Sequence, residues 1–594
     1  MSSRSGILGL TGALLASAAY LPTAAAATPC QSLTSLTLPD GAIFNTSGVN
    51  GTGATDVAPG STINRQDGQS PLTLTGNNAV NQSFCRVTIV VPNDNGTFTP
   101  SGINIEVWLP ETNWNERYEG VGGGGYAGTI SSLVPALNAN FAAASTDTGH
   151  VGGSGTFVLN ADDSLNFGLA VDFATRSLHE LALQSKFIIN AFYGQQPQYS
   201  YWNGCSTGGR QGLIEAQDHP DDYDGIWAGS PAVSFDRLSD AQLWPAVVMN
   251  LEVGGAGISQ TKLNAANAAA VAACDAQDGV VDGVIGDPRA CHFDPAALVC
   301  GAKGAPTDGT CLLPQEATAI RKIWDGPREV DRNGNPTGPR LWYPLERGAS
   351  FSVLGGTNAT AILPFSIPNV WFQDWLEQNP AFDWHTITYK TFEDDFFFSE
   401  KRWTDIIASD NPDLSAFRRR GGKVIITHGW ADQIIPSMNS IGYYNGVLRD
   451  PRNGGSRKKV EDFARLFMLP GMAHCGGGNG PNVFDAFGAV VNWRETGVAP
   501  DQIIASRVVG GQTVETRPLC PYPQVARYIG TGDTNVAANF RCVEERDNDL
   551  LNVENAIVPN PFEHFDVGNG RDHHEARNDH DDDRDDHGHG NEQF

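Results

Sequence analysis

The stretch "YWNGCSTGGRQG", Tyr201 to Gly212, sets a serine among glycines, directly after a short aromatic run and directly before a helix-forming one. Gly204-Cys205-Ser206-Thr207-Gly208 fits G-x-S-x-G, a pattern with chemical meaning only where a strand enters it and a helix leaves it. "YSYWNG", Tyr199 to Gly204, reads as that strand, and "RQGLIEAQDHP" reads as the helix. Glycines on both sides let the backbone take a strained turn that stands the Ser206 hydroxyl above the sheet edge. The bare pattern also fits a structural Gly-rich turn; the flanking elements select a nucleophile elbow.

Working outward, "AVDFATRSLHELALQSKFIINAFYG" shows helical periodicity, with Leu178, Leu181 and Leu183 on its apolar side and Gly194 as its stop. "NFAAASTDTGH" reads as a buried strand of small residues, and "SFCRVTIVVP" (Ser83 to Pro92) and "GINIEVWLP" (Gly102 to Pro110) as earlier strands. "RYEGVGGGGYAG", Arg117 to Gly128, carries six glycines in nine residues and is expected to hold no regular element. Strand, helix, strand, tight turn, helix is the order of a parallel α/β sheet. From 232 to 417 the pattern changes to an alanine-rich helix, "SQTKLNAANAAAVAAC", an Asp- and Gly-dense loop, paired cysteines and many Trp and Phe, which reads as an inserted lid. The sheet resumes in "GGKVIITHGWADQIIP" (Gly421 to Pro436) and "DFARLFMLPGMAHCGGG" (Asp462 to Gly478).

A serine hydroxyl needs a base, and the base needs a carboxylate to hold its tautomer. Asp432 follows "KVIIT" and His474 follows "RLFMLP", so the chain order is Ser206, Asp432, His474, the order of α/β-hydrolases. His428 reads as a loop residue or substrate contact, and His179, within a helix, as structural. His150, near Asp147, also ends a strand but precedes the serine, which gives it a loop-ordering or pocket-lining role. Acyl transfer further needs donors for the developing oxyanion. The backbone N–H of Thr207 is one; the other is expected from the loop Gly122 to Gly125, with Gly123 and Gly124 as candidates. A phosphate cradle fails there, because no Lys-Ser/Thr follows the glycines. Cys205 precedes the serine and Cys475 follows the histidine, so a working triad brings the two within reach of a disulfide.

The first residues, an Arg-containing start, an apolar run broken by small and polar residues, and Ala24 to Ala27, read as a secretory leader too short to span a bilayer. Ten cysteines in an exported chain imply disulfides, and sequons at Asn45, Asn50, Asn81, Asn95 and Asn358 fit a glycoprotein. A net charge of -28 argues against nucleic acid or an anionic membrane as partner. Some of that charge lies in "GRDHHEARNDHDDDRDDHGHGNEQF", which has almost no apolar residues and reads as a disordered, solvated tail. The expected division is leader 1–27, first catalytic part 28–231, lid 232–417, second catalytic part 418–560 and acidic tail 561–594.

Cys205-Ser206, Asp432 and His474-Cys475, with "GCSTGGRQG" and "PGMAHCGGG" around them, resemble the CS-D-HC pattern of the tannase and feruloyl esterase family over nearly the whole mature chain. The resemblance implies an α/β-hydrolase fold with a large lid inserted between nucleophile and acid, a Cys205–Cys475 disulfide, and hydrolysis of small aromatic esters or plant cell-wall esters. Feruloyl or chlorogenate esters are favoured slightly over galloyl esters. Phe365, Trp371, Phe372, Trp375, Phe396, Phe397 and Phe398 are candidates for the acid pocket or for ordinary core packing. The resemblance also implies a structural calcium in the lid, held in "CDAQDGVVDGVIGDPRAC" by Asp275, Asp278 and Asp282 and the carbonyls of Val280 and Val284. Hard oxygen donors suit Ca²⁺, although the spacing is not that of an EF-hand. Cys274 and Cys291 bracket this loop and are expected to pair; Cys30–Cys85, Cys300–Cys311 and Cys520–Cys542 are the remaining implied bridges.

Overall fold

The computed structural model describes residues 27–46, 53–93, 102–331 and 334–544. The leader up to residue 26, Asn50, Asn95 and the terminal stretch 561–594 lie outside these residues. Eight strands form the body of the main sheet: β1 (Phe84–Val91), β2 (Ile103–Pro110), β3 (Arg117–Val121), β4 (Ala142–Thr146), β5 (Tyr199–Cys205), β6 (Gly225–Gly229), β7 (Lys423–Gly429) and β8 (Ala464–Leu469). Their spatial order is 1-2-4-3-5-6-7-8. β2 runs antiparallel to both β1 and β4, and every later neighbour is parallel. Short strands Ile43–Phe44 and Ala54–Val57 pair antiparallel with β1. β7, covered on both faces, is buried along nearly its whole length and accordingly reads as a continuous apolar run.

β3 corrects one expectation. The glycine-rich stretch was expected to hold no regular element, yet Arg117–Val121 is a strand in mid-sheet, between β4 and β5. Its partners on both sides supply the hydrogen bonds that glycine content argued against, and Gly120 is required because a Cβ there would run into the Tyr223 hydroxyl.

The helix before the elbow, α1 (Ser177–Tyr193), ends at Gly194 with φ 74°, a left-handed cap. A π-helical stretch, Asp172–Arg176, joins it to the short helix Phe167–Val171 with helical backbone angles at both junctions, so the periodic stretch is one continuous helix carrying a π-bulge. α2 (Thr207–Asp218) leaves the elbow. Between β6 and β7 lie α3 (Phe235–Glu252), α4 (Gln260–Cys274), α5 (Pro314–Asp325), α6 (Ser366–Val370) and α7 (Tyr389–Ile407). α8 (Met438–Arg449) connects β7 to β8, and α9 (Ala486–Thr496) follows β8.

Most of the inserted segment packs into the same core as the sheet, with a small separate cluster of Cys274, Ile285 and Cys291. Trp371, Trp375 and Trp403 are fully buried, and Trp375 stacks on Tyr126 of the glycine loop with ring centroids 5.9 Å apart. The Trp375 indole N–H also donates to the Gly155 carbonyl at 3.0 Å. Of the aromatic residues weighed for the acid pocket, Trp371, Phe372, Trp375 and Phe396 are core, each removed from water by its neighbours. Phe397 and Phe398 are 38% and 40% exposed. The cysteines pair as Cys30–Cys85, Cys205–Cys475, Cys274–Cys291, Cys300–Cys311 and Cys520–Cys542.

Candidate active site

Ser206 sits between β5 and α2 with φ 64° and ψ −126°, a backbone conformation that side-chain-bearing residues adopt only under constraint. The constraint is visible. The Ser206 N–H donates to the Gly229 carbonyl of β6 at 2.9 Å, and the Ser206 carbonyl accepts from the N–H groups of Arg210 at 3.0 Å and Ala232 at 3.2 Å. The glycine loop presses against this turn backbone to backbone: a Cβ at Gly208 would lie 2.9 Å from the Gly123 carbonyl, and one at Gly122 would lie 2.6 Å from the Gly208 Cα.

Two side chains one turn apart on α2 fix that loop. The Thr207 hydroxyl donates to the Gly125 carbonyl at 2.5 Å, and the Gln211 side-chain carbonyl accepts the Gly123 N–H at 2.9 Å. Ser131 adds a hydroxyl donation to the Gly122 carbonyl at 2.8 Å. The consequence bears on the two candidate glycines: the Gly123 N–H is already given to Gln211. Thr207 opens α2, where backbone N–H groups have no partner within the helix.

Asp432 and His474 come together from the loops after β7 and β8. His474 Nδ1 lies 2.8 Å from Asp432 Oδ2, the carboxylate is fully buried, and the imidazole is 12% exposed. Asp432 Oδ1 accepts the N–H groups of Ile434 and Ile435, each at 2.9 Å, so both oxygens are held. Gln433 holds the His474 backbone N–H at 3.1 Å. The Cys205–Cys475 disulfide spans 270 residues of sequence and ties the residue before Ser206 to the residue after His474. With Nδ1 turned to the carboxylate, Nε2 is the nitrogen left for a hydroxyl proton.

His428 has a different place from those considered for it. It is fully buried behind Asp432 and touches no surface. Its Nε2 lies 3.1 Å from Asp432 Oδ2 and 3.1 Å from the Ile435 carbonyl, two acceptors, which makes that nitrogen the protonated one. Nδ1 then accepts from the Ser440 hydroxyl at 2.7 Å. Asp432 is therefore clasped between two imidazoles. Burial alone would raise its carboxyl, but the neighbouring His474 and the hydrogen bonds from both rings outweigh that and bring it well below the usual carboxylate range. The four-residue spacing of His428 and Asp432 was the available signal for this contact; the Gln211 contact to Gly123 carried none, being made across 88 residues.

The remaining histidines do other things. His150 is buried, stacks on Phe157 with centroids 3.7 Å apart, and has its imidazole pushed down to about 4 by burial. Asp147 accepts from Asn104 and Gly149, and burial pushes its carboxyl up to about 7. The inserted segment reaches the glycine loop through α6, where the Tyr126 hydroxyl donates to the Ile367 carbonyl at 3.1 Å.

In the Cys274–Cys291 loop, Asp275 accepts the N–H groups of Asp282 and Gly283, both at 3.0 Å, and Asp278 accepts that of Val280 at 3.0 Å. Asp282 accepts the Val284 N–H at 3.2 Å and a guanidinium N–H of Arg517 at 2.8 Å. Burial, then the neighbouring charges of Asp282 and Asp275, push the Asp278 carboxyl up. All the donors are hard oxygens, and the mutual repulsion of the carboxylates is relieved only in part by Arg517, so the residues fit a hard divalent cation.

Comparison with known proteins places these features in context. A family model described as "Tannase and feruloyl esterase" matches residues 85–543. The chain is 37% identical over 478 residues to a probable feruloyl esterase of Arthroderma benhamiae, covering 77% of this chain and 86% of that protein. It is 34% identical over 515 residues to the mono(2-hydroxyethyl) terephthalate hydrolase of Piscinibacter sakaiensis, covering 75% and 82%. The crystal structure of feruloyl esterase B from Aspergillus oryzae superposes with a TM-score of 0.72 at 30% identity, over 86% of this chain and 99% of that one.

Proposed function

The chain belongs to the tannase and feruloyl esterase family, a family of carboxylic ester hydrolases with the α/β-hydrolase fold, and from that premise we propose that it is an extracellular serine esterase acting on esters of phenolic acids. The single observation that carries the catalytic part is the buried Asp432–His474 contact at 2.8 Å, tethered to the elbow of Ser206 by the Cys205–Cys475 bridge. Ser206 Oγ attacks the ester carbonyl, His474 Nε2 takes its proton and returns it to the leaving alcohol, and Asp432 holds Nδ1–H and stabilises the imidazolium. Water repeats the cycle on the acyl-enzyme. The oxyanion is received by the backbone N–H of Thr207 and by that of Gly124, since Gly123 is engaged by Gln211. Five disulfides support the extracellular assignment.

The substrate reading is tested by comparing kcat/KM for methyl ferulate, methyl caffeate, chlorogenate and methyl gallate, with the amide of ferulic acid beside them. Ferulate or chlorogenate is expected to be the best substrate and the amide inert. A higher kcat/KM for methyl gallate would make the enzyme a tannase, and failure to hydrolyse any of the four esters would end the proposal.

Asp275, Asp278 and Asp282, with the carbonyls of Val280 and Val284, would hold Ca²⁺, whose part is to neutralise the acidic loop and so brace it. Binding only to the folded state stabilises by about 2.7 kcal/mol at a hundredfold excess over Kd. Chelation is therefore expected to lower Tm by several degrees and to change kcat little at low temperature. Identical melting with and without a tight chelator would remove calcium from the assignment.

A further inference from the structure

His179, His219 and Asp222 place donor atoms within 4.8 Å of one another, far along the chain from the calcium loop. His179 lies in the first turn of α1, while His219 and Asp222 lie in the turn that leaves α2 for β6. His179 Nδ1 is 2.6 Å from Asp222 Oδ2, and the two imidazoles stack with centroids 4.6 Å apart and planes 17° from parallel. The Thr175 hydroxyl fixes the His219 ring through Nε2 at 3.1 Å, and Lys186 donates to the Asp222 backbone carbonyl, so the ligand-bearing turn is itself held. The His179 side chain is 46% exposed and that of Asp222 is 12% exposed, which leaves the group open to an ion arriving from solvent.

Two imidazoles and a carboxylate are the donor set of zinc and of neighbouring late first-row ions, not of calcium, which prefers oxygen alone. His219 is also the C-cap of α2. That end of a helix carries partial negative charge and favours a cation. We propose that His179, His219 and Asp222 bind a divalent transition-metal ion, represented by Zn²⁺, which staples α1 to the far end of the helix that begins at Ser206. Water or another exogenous donor completes the coordination. α2 spans about 18 Å at 1.5 Å per residue, so the ion lies well away from the reacting atoms and acts on stability.

The test uses the full chain, freed of metal by a chelator, returned to excess Ca²⁺ and equilibrated with Zn²⁺; bound zinc is counted and melting is followed. His179→Ala and Asp222→Asn are compared with the parent chain. Each variant keeps the same terminal histidines and the same calcium loop, so a difference reports on this cluster alone. None of the three residues belongs to the proposed catalytic machinery, so retained esterase activity certifies the fold of each variant. The expected result is one Zn²⁺ fewer per chain in both variants and loss of the zinc-dependent part of the Tm rise. Equal zinc content and equal melting response in parent and variants, meaning zinc held elsewhere on the chain only, would overturn the site.

Discussion

Replacing Ser206 with alanine is expected to lower kcat for a phenolic ester by about a million-fold, with KM and Tm nearly unchanged. The size follows from what is removed and what stays. The hydroxyl is the group on the elbow free to form the acyl-enzyme, because the adjacent sulfur of Cys205 is bound in the disulfide to Cys475 and the Thr207 hydroxyl is given to the Gly125 carbonyl. The turn itself survives, since the backbone of residue 206 donates to Gly229 and accepts from Arg210 and Ala232, bonds that alanine keeps. The Thr207 N–H, the glycine loop and the bridge also remain, so the residual rate is that of water attacking a bound, polarised ester. Stopped-flow or steady-state assays on methyl ferulate decide it. A loss of less than tenfold in a variant that melts like the parent would exclude Ser206 as the nucleophile.

What could be read in the sequence was what is local. The strand before Ser206 and the helix after it declared themselves over a dozen residues, and the run "KVIIT" gave β7 because a strand covered on both faces must be apolar throughout. What could not be read depends on partners distant in sequence. β3 was hidden because its hydrogen bonds come from β4 and β5, and its glycine content argued locally against a strand. Whether Trp375 lines a pocket or fills a core is decided by Tyr126 and Gly155, more than two hundred residues earlier. The same holds in the site. Nothing local to Gly123 announces that its N–H belongs to Gln211, whereas the second imidazole on Asp432, His428, lies only four residues before it and its spacing was a signal.

That second imidazole makes Asp432→Asn the more informative of the severe changes, and a loss of about ten-thousandfold in kcat is expected, again with little change in KM. Asp432 Oδ2 receives His474 at 2.8 Å and His428 at 3.1 Å, while Oδ1 receives the N–H groups of Ile434 and Ile435. An asparagine must therefore keep its oxygen toward the two backbone donors and turn its NH₂ toward two ring N–H groups. His474 escapes that clash by moving its proton from Nδ1 to Nε2, and in this tautomer it cannot accept the proton of Ser206. Stability reports the same electrostatics with a definite sign. The folded-state carboxyl of Asp432 is held below its unfolded value of about 3.9, so its stabilising contribution is complete above that pH and is lost progressively as acidification carries on below it through the lower folded-state value. Asparagine cannot titrate. The gap in Tm between parent and variant should accordingly narrow below about pH 4. A gap that stayed the same at every pH would show that the folded protein gains nothing from the charge, and a loss of kcat under tenfold would remove Asp432 as the residue that orients His474.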